Sequence, residues 1–236
     1  RVALLATGDE LVAFNEQPAE GQIRNRNGPM IGSLLRAARY ELIDLGIGRD
    51  NRDDLRRRVD QGLQHDVLLL TGGVSAGVKD LVPGVLADRG VRQVFHKVCM
   101  KPGKPVWFGV WDHRHDSEAH RSLVYGLPGN RVSALVAYML LTVPALRTLS
   151  GAEFTRQATF PATLAVEATH RGGRPTYHPA ILHRERAATP AAELLPWRGS
   201  ADLRAVTASD GFVLLPPGDY VWPAGEAVEF LPLQRS

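Results

Sequence analysis

Short apolar runs alternate with helical periodicity along the first part of the chain. The runs Val2 to Ala6, Leu42 to Ile47, Val67 to Leu70, Val106 to Val110 and Leu123 to Leu127 have the length of buried strands, and Val91 to Val98 reads as a further or edge strand. Between them, Met30, Ile31, Leu34, Leu35 and Ala38 share one helical face, and Leu55, Val59 and Leu63 share another. Asn27 is suited to cap the first helix, with Pro29 in its first turn. Asn51 is suited to cap the second, where Asp53 and Asp54 meet the positive helix end. A third helix opens at Asp80 or its neighbour. Val132 to Leu149 is apolar nearly all round, which places it in a core, with Pro144 set to kink or divide it. Strands alternating with helices predict an α/β fold: a mostly parallel sheet with helices on both faces.

The texture changes after Gly151. Segments such as Thr163 to Ala168 alternate in polarity and are broken by Gly172-Gly173, Pro175, Pro190 and Pro216-Pro217, a pattern of strands joined by turns. A small all-β domain follows, barrel or sandwich, with Trp197, Phe212, Val213, Leu214 and Leu215 in its core. The expected domains are therefore 1–151 and 152–236.

Composition narrows the function classes. The 236 residues are 44% hydrophobic and 22% charged, enough for a sizeable core, and 28 basic against 25 acidic residues give a net charge of only +3. So small an excess argues against nucleic acid or membrane partners, and any anion site must be local. The single cysteine, Cys99, excludes an internal disulfide framework and fits a reducing, cytoplasmic compartment. No apolar stretch reaches the roughly 18 residues of a bilayer span. The start at Arg1, directly into an apolar run, reads as that of a fragment or processed chain.

In open parallel sheets, ligands bind where the loops leave the carboxyl ends of the strands. Those loops are Thr7-Gly8-Asp9-Glu10, Gly48-Arg49-Asp50, the stretch "TGGVSAGVKD" from Thr71 to Asp80, and Gly126-Leu127-Pro128-Gly129-Asn130. Glycines allow close backbone approach, and N–H groups at a helix start favour anionic oxygens, so the Thr71 to Asp80 stretch suits phosphate. Glu10, Asp50 and Asp80 would repel a phosphate, a conflict that a bridging divalent cation, magnesium above all, resolves. Lys101 and Lys104 in "KPGKP" add positive charge. Gly72 to Lys79 lacks the ending of a Walker loop, and no GxGxxG follows Val2 to Ala6. His113, His115 and His120 lie in a polar insertion between strands and read as a solvated loop, Arg56, Arg57 and Arg58 as a solvated helix face, and Cys99 has no cue for a nucleophile.

Taken together, "TGDEL", "TGGVSAGVKD", "KPGKP" and "GLPGN", in this order and spacing, resemble the MoeA/gephyrin E-domain family. The resemblance covers Val2 to Gly151, and residues 152 to 236 look like that family's C-terminal β-domain by position and texture. It implies a magnesium-dependent molybdopterin molybdenumtransferase that converts adenylylated molybdopterin (molybdopterin-AMP) and molybdate into molybdenum cofactor and AMP. It also implies a homodimer in full length, a MogA-like partner and molybdoenzyme recipients. Carried over by motif, Glu10, Asp50 and Asp80 are the acids of the metal and adenylate or molybdate site, and Lys101 and Lys104 the anion-binding lysines. Gly72, Gly73, Ser75 and Gly77 form the pterin-phosphate loop, and Thr7, Gly8, Asn27, Pro128, Gly129 and Asn130 complete the binding set. This chain departs from the family at Arg24-Asn25-Arg26-Asn27, where only Asn27 of an acid, Ser/Thr, Asn pattern is kept. It departs again at Leu81 in place of an aromatic, at Arg131 in place of a proline, and in lacking the two N-terminal domains. The alternatives are a MogA-like molybdopterin adenylyltransferase and a non-catalytic scaffold that binds a ligand or partner peptide.

Overall fold

The computed structural model describes residues 1–74, 81–115, 118–153, 159–183 and 189–233. Contacts divide the chain into two compact units, Arg1–Val98 with Pro105–Asn130, and Cys99–Lys104 with Arg131–Ser236. The Lys101 loop and the helix after Asn130 thus group with the β-rich unit, while the texture of the sequence changes only near residue 151.

The first unit is a six-stranded sheet with three principal helices. In chain order its elements are β1 (Val2–Thr7), β2 (Leu11–Val12), β3 (Ile23–Arg24), α1 (Asn27–Ala37), β4 (Leu42–Gly48), α2 (Arg52–Gly62), β5 (Val67–Thr71), α3 (Leu81–Asp88), β6 (Arg92–His96), β7 (Trp107–His115) and β8 (Glu118–Leu127). The strand order is β4-β1-β5-β8-β7-β6. Pairings from β4 through β8 are parallel, while β7 and β6 run antiparallel at the far side. Every residue of β1 and β5 is buried, which is why these strands read as continuous apolar runs: both of their faces are covered. On one face, Leu55, Val59 and Leu63 from the α2 segment and Val82, Val85 and Leu86 of α3 pack with Ala3, Leu5, Leu68 and Leu70. Successive strand residues point to opposite faces, and α1 covers the other one. A β-carbon on its Gly32 would lie 3.2 Å from Leu42 and 3.7 Å from Leu4.

Local chemistry fixes the helix starts, with one departure from expectation. The Asn51 side chain accepts the Asp54 N–H at 2.9 Å and caps α2. Asn27, in contrast, does not cap α1. Arg26 occupies the cap position without a side-chain bond, and it is the Asn25 Oδ1 that accepts the Gly28 N–H at 3.0 Å.

Two polar segments also differ from their sequence reading. The stretch around His113 continues β7 and β8 as a hairpin, paired down to His115 opposite Glu118, where a loop was expected. His120 donates through Nε2 to the Leu63 carbonyl at 3.1 Å and meets Trp111 edge-on. Of Arg56, Arg57 and Arg58 in α2, Arg58 is partly buried, holding Asp54 at 2.9 Å and the Leu45 carbonyl, and Arg56 pairs with Asp88 of α3 at 3.1 Å. Only Arg57 is largely in solvent.

The second unit begins with α4 (Arg131–Ala137), a single π-helical turn (Tyr138–Thr142) and α5 (Val143–Leu149). Pro144, which has no N–H to give, sits in the first turn of α5 directly after the widened turn. By length and composition, Arg131–Leu149 would pass for a membrane span, contrary to the expectation that no apolar stretch is long enough. Its apolar window is 61% buried within the protein, as in a core helix.

The β-rich part contains β9 (Phe160–Leu164), β10 (Ala168–His170), β11 (Thr176–His183), β12 (Ala191–Leu194), α6 (Leu203–Ala208), β13 (Gly211–Leu215), β14 (Tyr220–Trp222) and β15 (Ala227–Pro232). Strands β11-β12-β9-β15-β13 close into a barrel. Its core is built from alternate residues, Val213 and Leu215 of β13 among them, with Leu164, Ala180, Ala192, Val228 and Phe230. Phe212 is fully buried outside that cluster, and Trp197 is only partly buried, edge-on to His178 at 5.3 Å.

Candidate functional site

Strands β4, β1, β5 and β8 are parallel neighbours, so the loops that follow them leave from one edge of the sheet. The register aligns Thr7 with Gly48, Ala6 with Thr71, and Thr71 with Leu127. Backbone bonds tie the loops together at that edge. The Gly8 N–H donates to the Gly48 carbonyl at 3.2 Å, and the Gly72 N–H to the Leu127 carbonyl at 3.1 Å.

The glycines of the turn after β5 are explained by its closeness to β1. Gly72 has φ +88° and Gly73 φ +61°, both left-handed, and a β-carbon on Gly72 would lie 2.7 Å from the Thr7 carbonyl oxygen. The Thr7 hydroxyl is buried here without a protein partner. The loop after β8 is joined to this turn by the Gly72 N–H bond to Leu127, and a β-carbon on its Gly129 would lie 4.0 Å from Gly72 Cα. Asn27 joins them from the start of α1: its Nδ2 donates to the Gly129 carbonyl at 2.7 Å and lies 3.5 Å from that of Pro128. Asn27 is buried, and its Oδ1 has no partner. Thr7, Gly8, Gly72, Gly73, Asn27, Pro128 and Gly129 thus form one cluster, and Asn130 closes the same loop.

Asp9 joins the acids of this edge. Asp50 lies opposite Asp9, the neighbour of Glu10: the Asp9 carboxylate accepts the Asp50 N–H at 3.0 Å, and the Asp50 carboxylate accepts the Asp9 N–H at 3.3 Å. Arg49 braces the pair by donating to the Asp9 and Leu11 carbonyls, each at 3.2 Å. The Glu10 carboxylate folds back over Gly8, whose β-carbon, if present, would lie 2.5 Å from Oε2. Asp9 and Arg49 were legible only as members of polar loops, because no periodicity separates adjacent acids in a turn. Among the described residues no three or more His, Cys, Asp or Glu side chains gather as a metal site. Ser75, Gly77 and Asp80 lie outside the described residues.

Lys101 and Lys104 are exposed and belong to the second unit. The Lys101 N–H donates to the Pro175 carbonyl and its carbonyl accepts the Tyr177 N–H, both at 2.8 Å. Its ammonium stands 6.0 Å from the centre of the Trp197 ring, within cation–π range. Arg174 donates to the Met100 carbonyl at 3.1 Å. Beside Lys101 lie two imidazoles held below their ordinary pKa. For His178 the main cause is burial, opposed by its bond to the Pro179 carbonyl and reinforced by Lys101 and His170. For His170 burial and Lys101 act against Asp219. No sequence signal links Lys101 to His170, His178 and Trp197, because only the folding of β10 and β11 brings them together.

Two family models match the chain. One, described as a probable molybdopterin binding domain, covers residues 3–148, and the other, described as the MoeA C-terminal region (domain IV), covers residues 161–233. The chain is 32% identical over 234 residues to the molybdopterin molybdenumtransferase of a Synechocystis species, covering 98% of this chain and 55% of that protein. It is 29% identical over 240 residues to that of Staphylococcus aureus, covering 98% and 53%. A crystal structure of a molybdopterin biosynthesis MoeA protein from Pyrococcus horikosii superposes with a TM-score of 0.76 at 25% identity, covering all of this chain and 55% of that one. The chain spans about half the length of these relatives.

Proposed function

The chain belongs to the MoeA family of molybdopterin-binding proteins, and from that premise we propose that it carries the ligand-binding half of a molybdopterin molybdenumtransferase. The reaction is the conversion of adenylylated molybdopterin and molybdate to molybdenum cofactor and AMP. The observation that carries this reading is the convergence of four strand-end loops and Asn27 at one edge of a parallel sheet, where such folds bind their ligands. The match of residues 161–233 to the MoeA C-terminal region favours the insertase over a MogA-like adenylyltransferase. The division into a molybdopterin-binding domain, 1–151, and a C-terminal β-domain, 152–236, belongs to the same proposal. So do a full-length homodimer, a MogA-like donor and molybdoenzyme recipients.

Within this reading, Gly72 and Gly73 seat the turn after β5 against Thr7, and the loop of Pro128, Gly129 and Asn130 walls the cleft beside it. The reading also takes Lys101 and Lys104, exposed in the second unit, as its anion-binding lysines. Magnesium fits the donor chemistry of the first unit, because it is usually held by one or two carboxylates with the substrate's phosphates completing its shell. Asp50 and Glu10 would hold it, together with Asp80. When bound, it neutralises charge on the phosphoanhydride.

The test is AMP release. Full-length protein incubated with adenylylated molybdopterin, molybdate and magnesium should release AMP as molybdenum enters the pterin, followed by nucleotide chromatography and metal analysis. Ligand retained without AMP release sinks the insertase and leaves the scaffold. Consumption of ATP on bare molybdopterin selects the adenylyltransferase.

A further inference from the structure

We propose that Asn27 is a positioning residue of the cleft: its side-chain N–H holds the Pro128–Gly129 loop against the Gly72 turn, and ligand affinity depends on that clamp. The inference rests on the reading of this cleft as the nucleotide-bearing molybdopterin site.

Asn27 stands first in α1, where an asparagine ordinarily bonds its own helix. Here Asn25 takes that role through the Gly28 N–H, which leaves the Asn27 amide to act across the fold. It donates to Gly129, 102 positions away, at 2.7 Å, and is 3.5 Å from the Pro128 carbonyl. The loop it holds has few means of holding itself, because Pro128 lacks an N–H and Gly129 lacks a side chain. Facing two carbonyls, the amide must present nitrogen, since its oxygen would repel them. The Oδ1 correspondingly points away, buried and without a protein partner. The same loop accepts the Gly72 N–H through the Leu127 carbonyl at 3.1 Å, and Gly129 leaves only the room of a methyl group beside Gly72, so the clamp sets the spacing between the two loops that enclose the proposed phosphate site.

Asn27→Asp separates this role from plain packing, because a carboxylate keeps the shape and loses the donor, while a protonated carboxyl regains it. The probe is AMP with magnesium, its binding followed by calorimetry from pH 5 to 8 and normalised to wild type at each pH. Amide exchange of segment 126–131 is measured on the same proteins without ligand. Asn27→Ala should bind roughly tenfold more weakly, the loss of one buried hydrogen bond, and exchange faster over 126–131. Burial against two carbonyls raises the pKa of a carboxyl at this position, so Asn27→Asp should be weak at pH 8 and recover towards wild type as the pH falls, which simple loss of stability cannot produce. An Asn27→Asp profile parallel to wild type, or unchanged exchange over 126–131 in both variants, overturns the proposal. If wild type itself fails to bind AMP, the functional reading falls, and the exchange data alone then decide the clamp.

Discussion

Thr7 occupies the space that a side chain on Gly73 would need: a β-carbon there would lie 2.5 Å from the Thr7 hydroxyl and 2.9 Å from a methyl group of Val82. Thr7 ends β1 and Gly73 follows the end of its parallel neighbour β5, so the turn after β5 is seated on the end of β1. The backbone at Gly73 is also left-handed, with φ +61°. Gly73→Ala therefore suffers both a steric and a backbone penalty, together about 2–4 kcal/mol. Urea unfolding should show the loss. Adding Thr7→Ala should recover the steric share due to the Thr7 hydroxyl and leave the Val82 contact and the backbone part, so the double variant should be more stable than the sum of the single effects implies.

The cap of α2 predicts a smaller effect. Removing the Asn51 oxygen orphans the Asp54 N–H, and Asn51→Ala should cost about 1 kcal/mol in denaturant unfolding. Asn51→Asp should retain most of the stability.

The second unit should weaken in mild acid. His178 and His170 are held below their ordinary pKa, so the unfolded chain takes up protons at these sites before the folded one does. Their contribution is fully present above about pH 6.5, the ordinary imidazole value, and is lost as the pH falls below it. Lys101, the His170–His178 pair itself and Asp219 are the charged groups that set the balance. Melting temperature should drop between pH 7 and pH 5, and His178→Gln should flatten that slope. An unchanged slope in the variant would show that the imidazole is not responsible.

The acids predict metal linkage. Asp50→Asn should make the affinity for AMP insensitive to added magnesium, and Glu10→Gln should reduce that sensitivity, with titration calorimetry at zero and millimolar magnesium as the measurement. Equal magnesium dependence in both variants and wild type would move the cation elsewhere.

The barrel core of the second unit supplies a control. Phe230 is fully buried and meets Phe160 with ring centres 5.3 Å apart. Phe230→Ala should cost about 3–5 kcal/mol, read as a lower denaturation midpoint.

Much of the fold was legible because the buried strands announce themselves. Val2 to Ala6 and Val67 to Leu70 are apolar throughout and proved to be β1 and β5, covered on both faces. The cap at Asn51 was legible from a local rule, and the same rule failed at Asn27 because Asn25, two residues earlier, had the better position. The strand-end rule gathered Thr7, Gly72, Gly73 and Gly129 at one edge without knowledge of their distances. It was blind to the reciprocal bonds of Asp9 and Asp50, which depend on the turn, and to the company of Lys101, which depends on β10 and β11. Trp197 was assigned to the barrel core with Phe212 and its neighbours, whereas its indole lies beside a lysine and a histidine.

The backbone of Lys101 is stitched to Pro175 and Tyr177 on both its donor and acceptor sides. A chain severed at residue 151 would keep both lysines and lose the template that shapes them. Exchanging C-terminal modules between relatives would therefore transplant more than a barrel, because it would also reset the conformation of a basic loop written seventy positions upstream. The two halves of the sequence are in this respect a single inheritance.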